Sequence, residues 1–419
     1  MYILWENNDL NMSKSRKKPL RVSHAQSVYG DKEINRVVRV LKEHRSIMGP
    51  EIEEFENRVA KLFGKKYGVM VNSGSSANLL VVELMNLPVG SEVITPLLTF
   101  STTVAPLIQK KLVPVFVDVK QGSYVIDEDK LEGAISKKTK ALMIPIMFGL
   151  VPNMVKLAKL AKEYKLFFIE DSCDAIVSKY MEKPTGVYSD FTTTSFYGSH
   201  VITAAGGGGM LMVNREDFRN RAKMLRGWGR SSAVFAESES IESRFSRKIA
   251  NIAYDGKFIF DDIGYNLLPL EISAAFGNVQ LDRLKEFVKI RERNYEYLIR
   301  LFQKYSDYFI LPVVDKNAHP QWQIFPLTIK KNAPFSRLQL VTYLEKENVQ
   351  TRPLATGNIL RQPGFKNIPR RLLQKEYPLT DEVMERGFMI GVHQGLTVDH
   401  LNRLTEVVGN FMRQYASSQ

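Results

Sequence analysis

The sequence predicts an α/β protein in which a mostly parallel, seven-stranded sheet is followed by a smaller α+β domain. Three observations lead there. Seven short apolar runs, at residues 67–71, 92–94, 113–117, 141–146, 166–169, 191–195 and 210–213, are separated by segments long enough for helices. Most of these runs are apolar throughout rather than alternating, as in a sheet buried on both faces and crossed over by helices. After residue 270 the pattern changes to one long stripe at helical spacing, formed by Ile272, Ala275, Val279, Leu284, Val288 and Tyr295.

Taken in order, residues 1–25 form a basic tail expected to be disordered, with Lys14, Arg16, Lys17, Lys18 and Arg21 among polar residues. Residues 26–270 read as the large α/β domain. It opens with two helices around the turn Met48-Gly49-Pro50, the second marked by Ile52, Phe55, Val59 and Phe63. Residues 271–305 form a linking helix. Residues 306–419 make the small domain, with a strand at 323–329, a helix at 336–347, an extended piece at 349–353, a looping stretch to about 378 and a closing helix from Val398.

Composition narrows the function. With 419 residues and 44% hydrophobic content, the chain can build two cores. No apolar run reaches the roughly 20 residues that a membrane-spanning helix requires, and no signal peptide is evident, so a cytoplasmic protein without membrane association is expected. Cys173 is the single cysteine, so one chain holds neither a disulfide framework nor a cysteine-ligated metal or iron-sulfur cluster, and no metal site is expected. The net charge of +13 suits a small anionic substrate such as a nucleotide, or simply a solvated basic surface; no nucleic-acid motif accompanies it.

Three segments carry chemistry. In Val71-Asn72-Ser73-Gly74-Ser75-Ser76-Ala77-Asn78 a buried strand ends in a small polar turn that opens a helix. Its unpaired amides and dipole can hold a phosphate through Ser75 and Ser76, or the turn is an ordinary helix cap. The strand 166–169 runs into Glu170-Asp171-Ser172-Cys173-Asp174. A carboxylate at the carboxyl end of such a strand lies in the ligand crevice and can pair with a protonated pyridine nitrogen; equally, Asp171 or Asp174 could cap the next helix. In the third, Thr194-Ser195-Phe196-Tyr197-Gly198-Ser199-His200 precedes four glycines, Gly206 to Gly209. His200 lies in that turn, as a proton-transfer group or as a structural histidine.

Together these motifs resemble the sugar aminotransferase and dehydratase family of vitamin B6 enzymes, from about Ser23 to the C-terminus. The pieces occur in the family's order: Met48-Gly49-Pro50, the turn from Asn72 to Ala77, Thr95-Pro96 to Phe100-Ser101-Thr102, Phe116-Val117-Asp118-Val119, Glu170-Asp171, Ser195-Phe196 and Gly264-Tyr265-Asn266. The resemblance implies the aspartate-aminotransferase type of fold and pyridoxal or pyridoxamine phosphate as cofactor. It implies Ser75, Ser76 and Ser195 as phosphate ligands, Phe100 stacked on the ring, Asp171 at the ring nitrogen and Asp174 near the ring hydroxyl. Asn266 matches a residue that reaches the neighbouring subunit's cofactor, which implies a homodimer with shared active sites.

Where the family's aminotransferases carry the lysine that binds the cofactor covalently, this chain has His200. Imidazole cannot form that bond, yet it can move a proton near neutral pH. The substitution is similar to that in the nucleotide-sugar 3-dehydratases, which make 3,6-dideoxyhexoses such as colitose, and in their iron-sulfur relatives. Gly227-Trp228-Gly229-Arg230, Pro269-Leu270-Glu271, Arg352-Pro353 to Thr356-Gly357-Asn358 and Val392-His393-Gln394 extend the likeness. The iron-sulfur branch needs cysteines after the Trp-Gly-Arg segment, and this chain has none there, which implies the cluster-free branch.

The reaction so implied starts from a nucleotide-linked 4-keto-6-deoxy sugar condensed with pyridoxamine phosphate. His200 removes a proton from the cofactor's methylene carbon, Asp171 keeps the ring protonated, the C3 hydroxyl leaves, and glutamate re-aminates the cofactor. Arg230, Arg352, Asn358 and His393 are candidates for substrate contact or for loop packing. Three departures bear on the substrate: Leu268 where the colitose-type enzymes carry arginine, Gln323-Ile324 in place of a glycine-containing pair, and Gly206 where glutamate is common. Two other readings are a lysine-free 4-aminotransferase and a non-catalytic cofactor-binding relative.

Overall fold

The computed structural model describes residues 20–235 and 240–416. All seven apolar runs become strands: β1 (Tyr67–Val71), β2 (Glu92–Pro96), β3 (Val113–Val117), β4 (Thr139–Pro145), β5 (Phe167–Asp171), β6 (Phe191–Ser195) and β7 (Gly209–Val213). The sheet has eight strands, however. The two-residue strand Arg371–Leu372, in the stretch read from sequence as looping, adds parallel to the β3 edge. Two residues carry no periodicity, so the sequence had no means of showing it. The order is β1-β7-β6-β5-β4-β2-β3 and then the added strand; β7 runs antiparallel to both its neighbours and every other pairing is parallel.

Burial on both faces explains why these strands do not alternate. In β4, Ala141 and Met143 enter one core with Leu80, Leu84 and Leu225, whereas Leu142 and Ile144 enter the opposite core with Leu157 and Phe168. The first core lies under helices α3 (Gly74–Met85) and α6 (Glu216–Arg226); the second lies under α5 (Met154–Glu163). Between these in sequence, α4 (Ser101–Gln109) follows β2. The tight passage after β6 needs glycine: Gly208 has φ +128°, and a Cβ on Gly209 would stand 2.3 Å from the Ser73 backbone.

Ahead of the sheet, α1 (Asp31–Lys42) and α2 (Pro50–Leu62) lie against the 33-residue helix α7 (Glu271–Gln303). The fully buried Glu271 opens α7 and closes α2: its carboxylate accepts N–H bonds from Gly49 (2.9 Å), Glu51 (2.8 Å) and Ile52 (3.2 Å). An anion at a helix N-terminus satisfies amides that have no partner within the helix. Beyond α7, a second sheet pairs Phe309–Ile310, Ile324–Ile329 and Gly387–Gly391 antiparallel, packed with helices Arg337–Lys346 and Val398–Ala416 through Phe325, Phe335, Phe388 and Phe411.

The disorder expected up to residue 25 does not extend over residues 20–25. Residues 1–19 lie outside the described ones, but Val22 is buried and bridges Val349, with its N–H on the Asn348 carbonyl at 3.0 Å and its carbonyl accepting from Gln350 at 2.8 Å. An apolar side chain and two backbone bonds hold what the neighbouring basic residues made look solvated. Among the described residues, no helix is long and apolar enough to cross a membrane.

Replacing Glu271 by Ala strands two buried amide donors and a partly buried one, so Glu271→Ala is expected to lose about 3 kcal/mol of unfolding free energy in urea titration, and Glu271→Gln clearly less. Equal stability of Glu271→Ala and the parent would show that α2 is closed by other contacts.

Candidate active site

The carboxyl ends of β1, β2, β4, β5 and β6 lie at one side of the sheet, the side where open α/β sheets bind ligands. A cavity of about 530 Å³ lies there. Ser75, Phe100, Asp171, Asp174, Ser195, His200 and Arg352 line it, all singled out from sequence and drawn from five separate segments. The rest of the wall comes partly from the second sheet and its approaches, including Gln323, Ile324 and Met389.

Each side chain is placed by a strand end. Below β1, Ser73 caps α3, its Oγ accepting from the Ser76 N–H at 3.1 Å, so that Gly74 and Ser75 open the helix at the cavity. The turn presses on the β6 end: a Cβ on Gly74 would stand 2.6 Å from Ser195 Cβ. Phe100, after β2, is exposed at the start of α4. Asp171 ends β5 and is buried; its Oδ2 accepts from Asn78 Nδ2 and from Thr103 Oγ1, both at 2.8 Å, while Oδ1 has only the Cys173 N–H at 3.3 Å.

His200 follows β6. Its Nδ1 lies 3.1 Å from the Ser195 carbonyl oxygen, which can only accept, so Nδ1 carries a proton and the lone pair of the neutral ring is on Nε2. Nε2 is 3.9 Å from Asp174 Oδ1. The Asp174 carboxyl is pushed above the usual carboxylate range by burial; His200 and the Phe148 N–H, 3.2 Å from its Oδ2, act in the opposite direction. Burial also pushes the Cys173 thiol well up, helped by Asp171, so the sole cysteine is a neutral wall group.

Sequence reasoning missed the supports. Asn78 stands in the quoted turn motif without a role, and Thr103 follows the Phe100 motif. Neither shows in sequence that it reaches Asp171, 93 and 68 residues away. Arg291 is fully buried inside α7 and donates to Gln394 Oε1 (2.7 Å) and to the carbonyls of Trp322 and Gln323 (both 3.0 Å), with His200 O at 3.5 Å. Burial lowers its pKa to about 9. Gln394 in turn donates to Val201 O at 3.1 Å, so this pair supports the His200 loop from behind. No local pattern distinguishes Arg291 from a surface arginine.

Five of the residues read from sequence do not line the cavity. Ser76 spends its hydroxyl on Asn72 Oδ1 at 2.6 Å. Asn266 is exposed, bridging Gly227 through its backbone. Arg230 lies over Trp228, 4.4 Å from the ring centroid, near Phe258 and Phe260. Asn358 donates to Asp381 Oδ1 at 2.7 Å and accepts from the Leu360 N–H at 3.0 Å. His393 is buried, with Nε2 3.0 Å from Ser23 O and Nδ1 accepting from the Gly395 N–H at 3.2 Å; burial, then nearby Arg291, lowers its pKa to about 3. The last two side chains are committed to local structure.

Residues 28–409 match the DegT/DnrJ/EryC1/StrS aminotransferase family. The chain belongs to that family. It is 34% identical over 386 residues to the lipopolysaccharide biosynthesis protein RfbH of Salmonella typhimurium, covering 90% of this chain and 88% of the relative. Identity is 35% over 389 residues, 90% of this chain and 83% of the relative, with the dTDP-4-dehydro-2,6-dideoxy-D-glucose 3-dehydratase of Saccharopolyspora spinosa. The structure of the E. coli GDP-4-keto-6-deoxy-D-mannose-3-dehydratase with bound hydrated PLP superposes with a TM-score of 0.83 at 28% identity, over 93% of this chain and 99% of that one. The fold is therefore that of the vitamin B6-dependent aminotransferases, and the family places the chain among enzymes that modify sugars.

The contact between Gly74 and Ser195 gives a test of the turn. Gly74→Ala is expected to weaken pyridoxal phosphate binding at least roughly tenfold in equilibrium titration and to lower the melting temperature, because the added methyl displaces Ser195 and Cys173 from the turn. Unchanged affinity would remove this turn from the binding site.

Proposed function

We propose that this chain removes the C3 hydroxyl of a nucleotide-linked 4-keto-6-deoxyhexose, with pyridoxamine phosphate as cofactor, glutamate as amino donor and His200 as base. The observation that carries the reading is the cavity wall itself. It offers an imidazole with Nε2 unprotonated in the neutral ring and, among the described residues, no lysine.

The residues suit the cofactor. A buried carboxylate at the cavity floor matches a protonated pyridine nitrogen, and a capped helix start beside two serine hydroxyls matches a phosphate. Ser75 and Ser195 would hold the phosphate, with Ser76 shaping the turn; Phe100 would cover the ring, Asp171 would keep its nitrogen protonated, and Asp174 would lie on the hydroxyl side. Once bound, the cofactor supplies a pyridinium ring that accepts the electron pair released when a neighbouring C–H bond breaks. Asn266 completes the site of a second copy in a homodimer with shared active sites; its exposure, and that of Phe260, Ile263 and Leu270 around it, supports this.

His200 takes up the proton at Nε2, which faces Asp174 Oδ1 at 3.9 Å. The same ring can return that proton to the departing C3 hydroxyl, which leaves as water rather than hydroxide. An amine at position 200 would also be a base but would capture the aldehyde form of the cofactor and favour transamination. Arg352 presents a guanidinium at the wall for an anionic group of the substrate.

The decisive experiment incubates the protein with cofactor, glutamate and a panel of GDP-, CDP- and dTDP-linked 4-keto-6-deoxyhexoses. The expected result is ammonia release and a product that has lost the C3 oxygen without gaining nitrogen. A product retaining nitrogen at C4 would make the chain a 4-aminotransferase, and cofactor binding without turnover of any of these sugars would make it a non-catalytic cofactor-binding relative. His200→Asn is expected to lower turnover about a hundredfold to ten-thousandfold. His200→Lys is expected to suppress dehydration and to shift cofactor absorbance to that of a covalently held form; dehydration at the parent rate would show that the imidazole is not the base.

A further inference from the structure

The hydrogen bonds behind Asp171 do more than satisfy a buried carboxylate. Oδ2 alone takes both strong donors, Asn78 Nδ2 and Thr103 Oγ1, and all three residues are buried. The Asn78 amide has only one workable orientation. Its Nδ2 faces two groups that can only accept, the carboxylate and the Thr102 carbonyl at 3.3 Å, while its Oδ1 accepts from Thr193 Oγ1 at 2.7 Å. The Asp171 side chain is thus fixed in rotation, which leaves Oδ1, with one long backbone contact, for the cavity.

The donors come from informative places. Asn78 lies one turn into α3, the helix whose start carries Ser75. Thr103 lies in the first turn of α4, the helix headed by Phe100. Thr193 belongs to β6, two residues before Ser195, and is paired in register with Asp171. One carboxylate oxygen therefore ties the helix of the phosphate turn to the helix of the exposed aromatic, and Asn78 extends the link to β6 through Thr193.

We infer that Asn78 and Thr103 are positioning residues, which turn Asp171 Oδ1 toward the cofactor ring and lock the phosphate-holding and ring-covering helices in register with it. The inference rests on the cofactor reading above. It differs from a purely structural role because a carboxylate free to rotate would leave the protein folded and the ring poorly held. Asn78→Asp is the severe perturbation: it sets a second carboxylate against the first, and like charges at that spacing share one proton. Thr103→Val is the mild one, equal in shape and lacking the donor, and Thr103→Ser restores the hydroxyl.

The test measures pyridoxal phosphate affinity and the induced circular dichroism of the bound cofactor in each variant, with thermal melts alongside. Thr103→Val is expected to bind roughly tenfold more weakly, as loss of one hydrogen bond to a charged group implies, with a diminished dichroic band. Asn78→Asp is expected to lose more of both, and Thr103→Ser to recover them. Parental affinity and band in Thr103→Val, whatever its melting temperature, would overturn the inference even if Asn78→Asp fails to fold. A parent chain that does not bind the cofactor would overturn the cofactor reading and this inference together, so the two failures are distinguishable.

Discussion

The hydrogen bond from His200 Nδ1 to the Ser195 carbonyl, at 3.1 Å, is the contact on which the proposed chemistry depends. It settles which nitrogen of the neutral ring keeps its lone pair, and with it where a proton can be received. The bond exists because β6 ends at Ser195 and the chain turns at once, so that the side chain five residues on folds back over its own strand end. Behind it, Arg291 and Gln394 hold the backbone at His200 and Val201 from the α7 side. A desolvated guanidinium bonded to neutral oxygens is expensive to bury; its four acceptors lie in three different segments, so it fixes their separation as a smaller apolar side chain would not.

Asp171 is organised on the same plan from the other side of the cavity. Its charge is held by neutral donors rather than by an arginine or lysine, so among the described residues it has no ion-pair partner and remains available to a cationic ligand group. Asp171 and His200 are therefore each oriented by a layer of buried hydrogen bonds behind the wall, one belonging to the large sheet and the other spanning α7 and the approach to the second sheet. Asp174 stands between them, its carboxyl raised by burial and answering to the charge on His200.

What could be read from sequence follows from how locally each feature is encoded. Strands buried on both faces appear as unbroken apolar runs, so β1 to β7 were legible, whereas the two-residue strand at Arg371 was not. Ser75, Phe100, Asp171, Asp174, Ser195 and His200 meet because each stands at or just beyond a strand end, and the topology of a parallel sheet brings such ends together. Asn358 and His393 share similar motif positions, but their fates are decided by Asp381, Ser23 and Gly395, partners that local sequence does not announce. Asn78, Thr103 and Arg291 were missed for the same reason, since their roles reside in bonds that cross tens to hundreds of residues.

The cavity wall holds an imidazole and, among the described residues, no lysine that could capture the cofactor covalently. The most direct measurement is the intact mass of the chain after the pyridoxal phosphate complex is reduced with sodium borohydride. The expected spectrum shows the bare chain alone, because reduction of an untethered aldehyde leaves nothing attached. A stoichiometric gain of one pyridoxyl group would reveal an amine that reaches the cofactor, and would contradict the account.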